Sequence, residues 1–373
     1  MTLNVILFLH LLPFIGSGDS PATIDKEFQV SRNQTLEVDI RTGGALTITG
    51  WDKDIVKVHA ELRGRDAAAC KVDVSQQSGG VSLTSEFEGK ERNRNADLKF
   101  EICVPEQFNL SLESMGGPFT IEGVAGRIEG KTMGGPLTLH KLKGKLELTT
   151  MGGPVALTNS DVDGFLKTMG GEVRFEDVTG DVQATTMGGR IIQKNVRRRS
   201  GESGGPRVDT RGGDIEIEDA PDGTDIKTMG GTIHIKRAKQ TVRAETMGGD
   251  IEVDAIDGAV HAKTMGGDVT VVMVGDPSQG NREVSLQSMG GEINLTVPSG
   301  LSMDIEVTLA YTKGREGDFD LKSEFELKRE KSSDWEYRDG SPRKFIIGTA
   351  VVAGGKNKIR IKTINGNVHL KKG

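Results

Sequence analysis

Met133-Gly-Gly-Pro-Leu-Thr-Leu-His-Lys-Leu-Lys-Gly-Lys-Leu-Glu-Leu-Thr-Thr150 is one unit of a repeat, and its reading decides the fold. Apolar residues stand at Met133, Leu137 and Leu139, and again nine positions later at Leu142, Leu146 and Leu148. Within each half apolar and polar residues alternate, which is the period of a half-buried strand and not of a helix. Each 18-residue unit is therefore expected to hold two short strands. The unit that begins at Met169 agrees, with Val173, Phe175, Val178, Val182 and Ala184 as its inward candidates.

The tripeptide Met-Gly-Gly occurs nine times, at Met115, Met133, Met151, Met169, Met187, Met229, Met247, Met265 and Met289. Six of the eight intervals equal the step from Met133 to Met151, and one longer step separates both Met187 from Arg211 and Met265 from Met289. A fixed short period means one small unit stacked on itself, because a single unit cannot bury its own apolar face. The expected architecture is all-β: a single-stranded parallel β-helix with 18-residue coils and irregular β caps at both ends. Ten or so coils at about 4.8 Å each would make a rod on the order of 50 Å long.

Turn chemistry marks the corners. Gly-Gly follows each Met, and a further glycine recurs at Gly126, Gly144, Gly180 and Gly258. Glycine supplies positive φ and lets stacked backbones approach. On that ground Gly152 is expected to need positive φ, so that Gly152→Val would destabilise the fold. Pro118, Pro136 and Pro154 follow the glycines, where a missing N–H is tolerated.

Two positions before each Met, the residues run Lys131, Thr149, Lys167, Thr185, and later Lys227, Glu245, Lys263, so lysines do not stack on lysines. A second column alternates sign as Glu218, Lys236 and Asp254. In-register neighbours lie near 5 Å apart, where unlike charges help by roughly 0.2–1 kcal/mol. These columns read as inter-coil pairing. The methionine column reads as a corner-filling apolar stack in preference to soft-metal ligation.

With 51 glycines and 4% aromatics the chain suits many turns around a narrow aliphatic core. The net charge of −6, with both signs interspersed, offers no basic face for nucleic acid. Val5–Ile15 is an apolar run followed by Gly16-Ser17-Gly18, which reads as a signal peptide (residues 1–18) cleaved after Gly18, although no Lys or Arg precedes it. No later stretch approaches the ~20 apolar residues of a membrane span, so the mature chain is expected to carry no transmembrane segment. Cys70 and Cys103 are the two cysteines; disulfide and free thiols are both open readings, and neither makes a metal site.

The remaining organisation is an N-terminal cap of irregular β coils (24–113), the Met-Gly-Gly repeat (114–298), and a C-terminal excursion with a closing coil (299–373). Period breaks at Arg197–Ser203 and Asp276–Arg282 read as protruding loops, the best candidates for specific contact. Thr363-Ile-Asn-Gly366 replaces Thr-Met-Gly-Gly near the end, so the chain is expected to close on another coil.

Chemistry is sparse. His10, His59, His140, His234, His261 and His369 are scattered without ligand spacing. Carboxylates such as Asp214-Ile-Glu-Ile-Glu218 and Asp250-Ile-Glu-Val-Asp254 fall on the outward face, leaving a paired-acid site open only as an alternative. No catalytic, cofactor or metal residues are assigned. Calcium-binding nonapeptide rolls are set aside, because their third glycine and Asp are missing from nearly every half.

The recurring T-M-G-G-x-Φ-x-Φ and the closing T-I-N-G-N-V-H-L (Thr363–Leu370) resemble the putative adhesin domain family of bacterial cell envelopes, over roughly residues 28–371. The resemblance implies a single-stranded parallel β-helix with an extracytoplasmic, non-enzymatic role, and it supplies no site residues. The expected function is an adhesin-like structural or binding solenoid whose partner is a cell-envelope protein or polysaccharide. The alternative is a carbohydrate-active β-helix enzyme, a polysaccharide hydrolase or lyase. Oligomeric state and anchoring are not legible in the sequence.

Overall fold

The computed structural model describes residues 22–89, 95–199, 206–337 and 341–373. The signal-peptide reading, His10, and positions 200–203 of the first period break lie outside the described residues. Among the described residues the chain is all-β: 31 strands form one hydrogen-bonded sheet, and the only helical turn is the 3-10 turn Ala67–Ala69.

Two rows of parallel pairing dominate. In the first row Ala125 pairs with Lys143, Lys143 with Asp161, Gly164 with Val182, and Thr224 with Val242, each with its counterpart one repeat on. In the second row Phe119, Leu137, Val155 and Val173 succeed one another at the same offset. The period breaks keep register: Ala184 meets Val208 and Val260 meets Val284, each pair spanning one of the longer steps. Inward positions from both rows make one buried cluster running from Leu36 to Leu370. Val173, Phe175, Val178, Val182 and Ala184 all belong to it.

Both ends depart from the repeat. At the amino end Thr35–Ile40 and Ala45–Trp51 continue the two rows in parallel, and the rows then finish in antiparallel pairs, Cys70–Gln77 on Gly80–Phe87, and Ala22–Gln29 on Ile55–Arg63. At the carboxyl end the order in space is not the order in sequence. Asn357–Ile364 slots directly onto Val284–Ser288, and Met303–Thr312 lies beyond it. The closing repeat is thus an inner layer, with Met303–Thr312, Arg343–Val352 and Lys328–Lys331 beyond it in the first row. The preceding excursion covers it first with the parallel Met303–Thr312, then with Arg343–Val352 and the fully exposed Lys328–Lys331 in antiparallel pairing. An open parallel edge invites pairing with other chains, and a short charged antiparallel strand blunts it.

The corners correct two expectations. The methionines are not corner filling: Met115, Met133, Met151, Met229, Met247, Met265 and Met289 are between 44% and 62% exposed. Alternation along the first-row strand explains why. Leu146, Leu148 and Thr150 point inward, so Met151 points out, and the glycines then reset the phase before Val155. Nor is Gly152 the critical glycine. Its φ lies outside the left-handed region, and a Cβ there would meet open space. The second glycine is the constrained one, for steric reasons: a Cβ on Gly153 would stand 1.9 Å from the Gly135 carbonyl oxygen. The same clash with the preceding corner recurs from Gly171 to Gly291. Left-handed backbone is concentrated at a different corner, at Gly123, Lys141, Asn159, Asp177 and Asn195, again at the interval of the repeat. Asn and Asp tolerate that conformation better than other side chains do.

Candidate functional site

The Thr-Met-Gly-Gly corner is the unit from which the surface is built. The threonines are buried, and from Thr150 onward the hydroxyl bridges two repeats, whereas the Thr132 hydroxyl bonds Gly134 of its own corner. Thr168 Oγ1 donates to the Gly153 carbonyl at 2.9 Å and accepts from the Gly171 N–H at 3.1 Å. Thr186, Thr228, Thr246 and Thr264 repeat both bonds, and Ser288 substitutes for threonine without loss. A buried hydroxyl that meets a donor and an acceptor stabilises, whereas either partner left unmade costs about 1–3 kcal/mol. The threonine column thus pins the glycine column, and the methionine between them is carried outward on a fixed backbone. Met133 and Met151 donate their N–H groups to Ser114 and Thr132 carbonyls, both at 3.1 Å.

Beside this methionine ridge lies the outward face of the first row. Its ion pairs cross between repeats as the sequence spacing predicts: Lys131 to Glu113 at 3.0 Å, and Lys227 to Glu245 at 3.1 Å. A shallow trough between ridge and face is lined by Arg211, Lys227, Met229, Glu245, Met247 and Met265. A similar one contains Glu129, Lys131, Met133, Glu147, Met151 and the exposed Phe165. On the second row Lys236 bridges Glu216 at 2.9 Å and Glu218 at 3.5 Å. The Lys236 hydrogen bond holds the Glu216 carboxyl below its ordinary range.

Histidines are less scattered in space than in sequence. Parallel register places His234 opposite Glu252, and His234 Nε2 lies 2.9 Å from the Asp254 carboxylate. The ligand atoms of His234, Glu252 and Asp254 all fall within 4.8 Å of one another on an exposed face. Adding the repeat offset to His234 would have found the pair with Glu252. His140 bonds the Thr158 hydroxyl at 2.8 Å, and burial depresses the His261 pKa. At the amino end His59 contacts Asp25 at 2.8 Å, and this hydrogen bond raises its pKa. Cys103 is a free thiol, so Cys70 and Cys103 are not bridged, and burial pushes the Cys103 pKa up.

The two period breaks are tied down where they are described. Arg199 reaches back to Asp161 and Asp163 on successive outward positions of one strand. The Asp163 carboxyl is held low, first by the Asp181 N–H and then by Arg199. In the second break Arg282 is 2% exposed in its side chain. It donates to the Val274 carbonyl at 2.7 Å and the Gln279 carbonyl at 3.0 Å, and it pairs with Asp257. Asp276–Arg282 is therefore strapped to the sheet and does not simply protrude. Its arginine is the anchor, since a buried guanidinium must find partners for its donors.

No family model and no curated protein matches the chain. Among solved structures, a putative adhesin from Parabacteroides distasonis is 12% identical, covering 71% of this chain and 97% of that one, with a TM-score of 0.35. A putative adhesin from Parabacteroides merdae is 13% identical, covering 71% of this chain and 95% of its own, with a TM-score of 0.33. A putative cell adhesion protein from Clostridium sporogenes is 9% identical over 95% of this chain and 100% of its own, with a TM-score of 0.20. At such identities and TM-scores neither fold nor function carries across. No helix among the described residues is long and apolar enough to cross a membrane.

Proposed function

We propose that this chain is an elongated parallel β-solenoid of the extracytoplasmic cell envelope, adhesin-like, which acts by binding and not by catalysis. One observation carries the reading: in-register parallel pairing at a constant repeat offset across most of the chain. Eleven strand-to-strand steps lead from Thr35–Ile40 to Asn357–Ile364. At about 4.8 Å per step they extend over roughly 50 Å. Such a stack offers a long, regular face of alternating charge at low sequence cost, which suits display and contact. The ordered domains are a cap (24–113), the repeat (114–298) and a C-terminal segment (299–373), preceded by a signal peptide.

The partner class is an envelope protein or polysaccharide. Glycan arrays and pull-downs from envelope fractions with the purified chain test it. The expected result is saturable binding that weakens when Lys227 and Lys263 are replaced by Glu on the outward face. A broad glycosidase and lyase screen is the counter-test. Polysaccharide turnover that disappears in Glu252→Gln or Asp254→Asn would overturn the non-catalytic reading in favour of a carbohydrate-active enzyme.

A further inference from the structure

The methionine ridge serves no structural need that the rest of the corner does not already meet. Corners without methionine keep the same construction. Thr210 precedes Arg211 and bonds the Gly189 carbonyl at 3.3 Å, and Thr363 precedes Ile364 and bonds the Gly291 carbonyl at 2.8 Å. Outward positions on either side of the ridge change identity from repeat to repeat. Two before each corner stand Glu113, Lys131, Thr149, Asp209 and Gln287, and three after it stand Pro154, Glu172, Arg190 and Thr232. Between these columns an outward position stays Met nine times. A fold indifferent to the side chain, next to neighbours that change, singles out the thioether itself.

We propose that the ridge is a binding site for a soft monovalent cation, Cu(I) or Ag(I), held by thioether sulfurs of successive repeats. Its two unbroken runs are Met115 to Met187 and Met229 to Met289, separated by Arg211. Backbone bonds between repeats hold consecutive methionines one strand spacing apart, about 4.8 Å. Unbranched side chains with three rotatable bonds then let two or three neighbouring sulfurs converge on one ion. Thioether ligands select Cu(I) over harder divalent cations, and they need no deprotonation. Binding is consequently independent of pH across the range where imidazole titrates, unlike a histidine or thiolate site. This site stands or falls independently of the binding-scaffold reading, since it requires no macromolecular partner.

The test is methyl NMR of the full chain labelled at the methionine ε-carbon, titrated with Ag(I) and, under reducing anaerobic conditions, with Cu(I). Met273 and Met303, 2% and 1% exposed, are internal controls. The ridge methyls should shift and saturate at metal concentrations at least tenfold below those that shift N-acetylmethionine. Met273 and Met303 should stay in place, and Zn(II) should move none of them. Met151→Leu should weaken the responses of Met133 and Met169. The ridge responses should persist when Cys70 and Cys103 are both replaced by Ser. The proposal is overturned if ridge methyls respond only where free N-acetylmethionine does, if Met151→Leu leaves its neighbours unaffected, or if the response vanishes with the thiols.

Discussion

Replacing Gly153 with alanine should destabilise the protein by roughly 3 kcal/mol, while the same change at the adjacent Gly152 should be neutral or slightly stabilising. At Gly153 the new Cβ would stand 1.9 Å from the Gly135 oxygen, 2.1 Å from its carbonyl carbon and 2.6 Å from the Pro136 nitrogen. All three are backbone atoms of the preceding repeat, so no side chain can swing aside. The two repeats must part locally by about 1 Å before the contact is tolerable, which is overpacking of the kind that costs about 1–3 kcal/mol. Parting also stretches the 3.1 Å bond from Thr150 Oγ1 to the Gly135 carbonyl, and leaving those groups unpaired adds about 1–3 kcal/mol. Loss of glycine's freedom in the unfolded chain offsets only about 0.4–1 kcal/mol. At Gly152 that offset acts alone, because nothing lies within 4 Å of its Cβ position. Urea unfolding followed by far-UV circular dichroism measures both variants, with hydrogen exchange of Val155–Thr168 as a local readout. Equal stability of Gly153→Ala and wild type, or equal damage from Gly152→Ala, would refute steric stacking as the reason for the second glycine.

Thr168→Val should cost about 2 kcal/mol, because it orphans the Gly153 carbonyl and the Gly171 N–H, whereas Thr168→Ser should retain most of the stability. Identical unfolding midpoints for the two variants would count against the hydroxyl bridge. Arg282→Met should release the strap at Asp276–Arg282, leaving the Val274 and Gln279 carbonyls unpaired at a cost of about 2 kcal/mol. Faster proteolysis within that segment checks it, and unchanged cleavage sinks it. His59 is held by Asp25 with its pKa raised above 6.5 in the folded chain, so its contribution is complete below that value and is lost as pH rises through the raised one. Hydrogen exchange of Ala22–Gln29 should accordingly quicken from pH 6 to pH 8 beyond the intrinsic rate. His59→Gln should abolish that excess, and an excess that persists in the variant would show that another group is responsible.

The alternation in Met133–Thr150 and its recurrence were enough to specify strands, their inward faces and the pairing offset. These are local or periodic properties, carried by every repeat alike: Leu146 and Leu148 are inward because their neighbours are polar, and successive copies pair because one register suits them all. The sequence also placed the charge columns, since a fixed offset converts position into contact, as with Lys227 and Glu245. What it misjudged lay where two repeats meet at a corner. Whether Thr150 or Met151 points inward depends on how Gly152 and Gly153 reset the strand phase, and which glycine is indispensable depends on the carbonyl of the repeat beneath. The order of layers at the carboxyl end was equally hidden, because Asn357–Ile364 matches the repeat wherever it is inserted. Only the tertiary pairing shows that Met303–Thr312 covers this repeat and that antiparallel strands ending in Lys328–Lys331 then cover the open edge. The pairing of His234 with Glu252 follows from the repeat offset, but the approach of Asp254 to His234 and the outward turn of the methionines appear only once consecutive repeats lie one strand spacing apart.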